Sequence, residues 1–71
     1  MDKKTADRII KLLDVMEGAR AKQVSNMVKS VRFGNTATGN RHQAIYERQH
    51  DVYAKASAEL AQLIADARVS D

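Results

Sequence analysis

The feature that most restricts this chain is VRFGNTATGNRHQ, residues 31–43, the only segment whose residues oppose a helix. Gly34 and Gly39 bracket Asn35, Thr36, Thr38 and Asn40, a cluster of turn and capping residues, so the chain is expected to reverse here. There is no proline anywhere, and the remaining glycine, Gly18, sits among strong helix formers in MEGARAKQ. An interior glycine costs about 1 kcal/mol relative to alanine, which such a context absorbs. The expected organisation is one domain: a helix over about residues 5–32, a loop over about 33–40 and a helix over about 41–68. A break at Gly18 would instead leave ARAKQVSNMVKSV as part of a helix-turn-helix, but no clear turn and recognition helix follow it.

The apolar residues carry the helical period. In the first half Ile9, Ile10, Leu13, Met16, Ala19, Val24, Met27, Val28 and Val31 recur at steps of three and four, and in the second half Ile45, Val52, Ala56, Leu60, Leu63 and Ala67 do the same. The fold class is therefore all-α, a long antiparallel helical hairpin. Asp2 or Thr5 stands where a cap for the first helix belongs, and Asn40 where one for the second belongs. Folding the halves together pairs Val28 with Ile45, Val24 with Gln49, Ala21 with Val52, Glu17 with Ala56, Leu13 with Leu60 and Ile10 with Leu63. A second apolar line, Ala54, Ala58, Ala61 and Ala65, is expected beside that leucine seam. Two seams call for two neighbours, and a chain this short buries only about 60% of its unfolded surface. One such core seldom supplies more than about 3–5 kcal/mol, so a homodimer closing a four-helix bundle is expected.

Several chemistries find no support in the sequence. Without cysteine there are no disulfides or thiolate metal sites, and a cytoplasmic location is the natural expectation. MDKKTADRIIKLLDV has charges too frequent for a signal peptide or a membrane span, so no membrane partner is expected. Gly34 and Gly39 have the glycine spacing of a phosphate-binding P-loop, but Asn40 and Arg41 occupy its lysine and hydroxyl positions, and no strand precedes it. His42 and His50, even with Glu47 and Asp51 nearby, lack the four-residue spacing of a helical ligand pair, and along a helix they stand about 12 Å apart. Ser25, Ser30 and Ser57 have no evident base and orienting acid. The expectation is a non-enzymatic protein with no metal and no cofactor.

Charge is the informative property. No acidic residue lies between Glu17 and Glu47, whereas Arg20, Lys22, Lys29, Arg32 and Arg41 all do, with His42 beside them. In a hairpin these gather toward the loop end, where a positive pole attracts and orients a polyanion. Asn35 and its neighbours are placed to donate hydrogen bonds to phosphates. Tyr46 and Tyr53 share a face with His42, Gln49 and His50 that could stack on unpaired bases, although aromatics at helical spacing also finish a core or dimer seam. Phe33 is either an anchor for a partner or a cap on the end of the bundle. The sequence thus favours a small binding or regulatory protein whose basic loop end contacts nucleic acid, RNA or DNA. The alternative is an inhibitor or adaptor, of the sort phages and plasmids encode, that docks on an acidic or nucleic-acid-binding surface of a host protein or nucleoprotein complex.

Overall fold

A computed structural model describes residues 2–70 and shows two helices, α1 (Lys3–Phe33) and α2 (Ala37–Ser70), with no strand among the described residues. They fold back on each other as an all-α hairpin, a rod with extents of 52 × 15 × 12 Å. The helix α1 runs unbroken through Gly18, where an added Cβ would meet nothing within 4 Å. Asp2, in extended conformation, caps α1 by accepting the Thr5 N–H at 2.7 Å. That backbone hydrogen bond, reinforced by the Thr5 side chain, holds the Asp2 carboxyl below the ordinary carboxylate value.

The reversal is tighter than the sequence suggests, because Thr36 rather than Asn40 caps α2. The Thr36 hydroxyl accepts the Gly39 N–H at 3.1 Å and donates to the Phe33 carbonyl at 3.0 Å, tying the end of one helix to the start of the next. The Thr36 carbonyl then accepts the Asn40 N–H at 2.8 Å, the first helical bond of α2. Between the two helices only residues 34–36 are non-helical. Gly34 holds φ at 61° and ψ at −146°, a conformation that side chains disfavour. Gly39 packs so closely on the Gly34 carbonyl that any Cβ at this position would overlap it.

The seam between the helices is a heptad seam. On α1 Thr5, Ile9, Leu12, Met16, Ala19, Gln23, Asn26 and Ser30 are buried or half-buried and alternate in steps of four and three. On α2 the same rhythm runs through Gly39, His42, Tyr46, Gln49, Tyr53, Ala56, Leu60, Leu63 and Ala67. The pairing expected from the aliphatics is therefore wrong for α1: Ile10, Leu13, Val24 and Val28 face outward, and Leu12, Ala19 and Gln23 are the buried positions. The reason lies in the residues opposite. Near the loop α2 brings His42, Tyr46, Gln49 and Tyr53 into the seam, and these rings and amides are met by small or polar residues of α1. Asn26 shows this directly, since its Nδ2 donates to the Lys22 carbonyl at 2.8 Å and its Oδ1 lies 2.8 Å from His42 Nδ1. With the amide oriented by the Lys22 carbonyl, Oδ1 is the acceptor, so Nδ1 of His42 carries the proton. Ala54, Ala58, Ala61 and Ala65 are exposed on the outer side of α2, away from the seam and not beside it.

Candidate polyanion interface

The heptad seam divides the hairpin into two long flanks. On one side of it α1 presents Lys4, Arg8, Lys11, Lys22, Lys29 and Arg32, again in steps of four and three with Val15, Gly18 and Ser25 at the intervening places. On the same side α2 presents Arg41, Arg48 and Lys55, spaced seven apart. Arg8, Lys11 and Val15 share a shallow surface groove with Val52, Lys55 and Glu59, which shows that these two rows adjoin. Arg8 spans them, donating from Nη2 to both Glu59 carboxylate oxygens at 2.7 and 2.8 Å and from Nε at 3.2 Å. This pair is half-exposed, so it contributes at most about 1 kcal/mol while fixing one edge of the surface.

The charge partition is uneven. Nine of the twelve Lys and Arg residues lie on this flank, against two of the nine acids, Glu59 and Asp66, both near the terminal end of the hairpin. All nine basic residues are exposed. Lys4 and Arg32 are 28 positions apart on one helix, so the basic row extends about 42 Å. From the Glu59 level to the loop, the flank carries no carboxylate.

The sequence-derived candidates separate on this geometry. Lys22, Lys29, Arg32 and Arg41 come together on the basic flank. Phe33 and His42 stack on each other at the loop end, with ring centroids 6.0 Å apart and planes inclined by 17°. Asn35 is exposed in the turn itself. Arg20 and Tyr46 lie on the other flank, where they line a shallow groove with Gln23, Val24, Met27 and Val28. The Arg20 guanidinium sits 4.2 Å from the centre of the Tyr53 ring, a cation–π contact that covers one face of that ring. Tyr46 and Tyr53 are half-buried seam residues.

Lys4, Arg8, Lys11, Arg48 and Lys55 join the surface without having been singled out from the sequence. A linear count placed them in the acid-balanced remainder of the chain, and only their phase relative to the seam reveals them. Among the described residues no group of three or more His, Asp or Glu side chains is arranged to hold a metal ion. No described helix is long and apolar enough to cross a membrane. Comparison with protein-family models, curated proteins and solved structures returns no match, so the chemistry of the surface rests on the residues of this chain.

Proposed function

We propose that this protein is a small non-enzymatic nucleic-acid-binding regulator that acts as a homodimer and holds the phosphate backbone along its basic flank. The observation that carries this reading is the segregation of nine of twelve basic residues onto one flank of a straight rod. Cations solvated for solubility alone have no reason to keep one phase over eight turns of α1 and to exclude acids from it. A row of this kind matches a line of phosphates, where each Lys or Arg that reaches an oxygen releases a condensed counterion.

The placement of the aromatics favours backbone contact over base readout. Tyr46 and Tyr53 are committed to the seam, and the exposed flank offers ammonium and guanidinium groups without a ring to stack on an unpaired base. Phosphate contacts position a protein without specifying sequence, so binding is expected to tolerate many sequences. The loop end, with Arg32, Asn35, Arg41 and the Phe33–His42 stack, is the natural terminus of this surface.

Charge reversal in pairs tests the reading. Lys22→Glu with Lys29→Glu, and separately Arg32→Glu with Arg41→Glu, each change the flank by four units of charge. Lys3→Glu with Arg68→Glu applies the same change off the flank. The expected result in an electrophoretic mobility assay is loss of complex for the first two and retention for the third, with helicity preserved in all. Equal weakening by all three pairs would reduce the effect to net charge and overturn the flank as a site.

A further inference from the structure

The second flank of the hairpin has the opposite character. On α1 Ala6, Ile10, Leu13, Glu17, Arg20, Val24, Met27 and Val31 form another line in steps of four and three, parallel to the seam. Its five large aliphatics remain 42 to 74% exposed, although the seam itself fully buries only Leu12, Ala19 and Ala56 among apolar residues. A hairpin with so thin a core, carrying five large aliphatics in one exposed line, needs something to cover them.

We propose that a second copy of this chain covers this stripe, packed antiparallel, with the two-fold axis crossing α1 between Gly18 and Ala19. The inference specifies the surface and register of the dimer in the functional reading above and rests on that reading. The stripe is self-complementary about this point. Glu17 meets the partner's Arg20, Leu13 meets the partner's Val24, Ile10 meets the partner's Met27, and Ala6 meets the partner's Val31. Each contact occurs twice, as a two-fold axis requires.

Charge selects this arrangement over its competitors. In a parallel pairing Glu17 would face the partner's Glu17 and Arg20 the partner's Arg20. Sliding the antiparallel pair by one heptad would set Glu17 against Leu13 or Met27, and Arg20 against Ile10 or Val24, leaving desolvated charges without partners. Only the central register forms two ion pairs flanked by aliphatic layers. Arg20 is already held for this role: its stack on Tyr53 uses the guanidinium face and leaves the N–H edge for a carboxylate. The groove between Arg20, Val24, Met27, Val28 and Tyr46 then receives the partner's Ile10 and Leu13. The basic rows lie on the other side of both helices and remain uncovered.

Light scattering and native mass spectrometry of charge-swapped chains test the register. Wild type is expected at twice 7.9 kDa. Glu17→Arg and Arg20→Glu each place like charges opposite one another twice, so each alone should raise the dimer dissociation constant at least about 100-fold. Mixed together, the two variants restore both ion pairs, and a heterodimer should form at the wild-type concentration. Circular dichroism verifies that each variant keeps its helices. A wild-type dimer that persists in both single variants, or a mixture that forms no heterodimer, overturns the register and moves the interface elsewhere, the outer alanines of α2 being the next surface. A wild-type mass of one chain would overturn the dimer itself while leaving nucleic-acid binding to its own assay.

Discussion

Replacing Gln23 should make this protein more stable. The side chain is 2% exposed at a seam position of α1, and its Oε1 has no hydrogen-bond partner. A buried acceptor left unpaired costs about 1–3 kcal/mol, the hydration it has lost without replacement. Methionine has nearly the same length and volume, is unbranched and flexible, and carries no group that demands a hydrogen bond, so Gln23→Met removes this cost with little change in the space filled. Allowing for imperfect packing, a net gain of about 1–2 kcal/mol is expected. For a chain of this size each 1 kcal/mol moves Tm by about 4–8 °C, which puts the rise at about 4–16 °C. Thermal unfolding followed by circular dichroism measures it, with both proteins at one concentration because a dimer's Tm depends on concentration. A loss of more than about 1 kcal/mol would refute the reasoning and show that the Gln23 oxygen is satisfied in the assembled protein.

The glycines separate by position. Gly18→Ala fills open space within a helix and should stabilise by about 1 kcal/mol, whereas Gly39→Ala drives a methyl into the Gly34 carbonyl and should cost about 1–3 kcal/mol in urea unfolding. Similar changes for the two would contradict the tight reversal. Asp2 gives a pH dependence of definite sign. Its carboxyl is lowered in the folded state by the Thr5 N–H, so the cap's contribution is fully present above the ordinary carboxylate value and is lost as pH falls through the lower folded value. The protection of the Thr5 and Ala6 amides, measured as the intrinsic exchange rate at each pH divided by the observed one, should therefore fall below about pH 4, a pH dependence that Asp2→Asn should abolish.

The two helices, the reversal between them and the continuity at Gly18 were legible because they depend on glycine spacing and helical period, whereas the cap of α2 was not, since Thr36 and not Asn40 accepts the first free N–H. The seam was not, because two lines at heptad spacing run side by side along α1 and the greasier one is not the one that faces α2. Ile10, Leu13, Val24 and Val28 drew the pairing in the sequence, while Gln23, Asn26 and Ser30 gave no apolar signal. Only the bulk of His42, Tyr46 and Tyr53 on the opposite helix makes small and polar partners suitable there. The same displacement hid half of the basic surface. Lys22, Lys29, Arg32 and Arg41 stood out as an acid-free segment, but Lys4, Arg8, Lys11, Arg48 and Lys55 align with them only once the seam sets the phase of each helix.

The account's central claim is that the basic flank holds nucleic acid by its phosphates, and the salt dependence of binding tests it most directly. Fluorescence anisotropy with labelled double- and single-stranded RNA and DNA, read from about 50 to 200 mM salt, gives the slope of log affinity against log salt. If about six of the flank's cations reach phosphate, the slope on duplex DNA is about −5, and affinity falls by about three decades over that range. A slope near zero, or no binding to any of the four at the lowest salt, would contradict the claim.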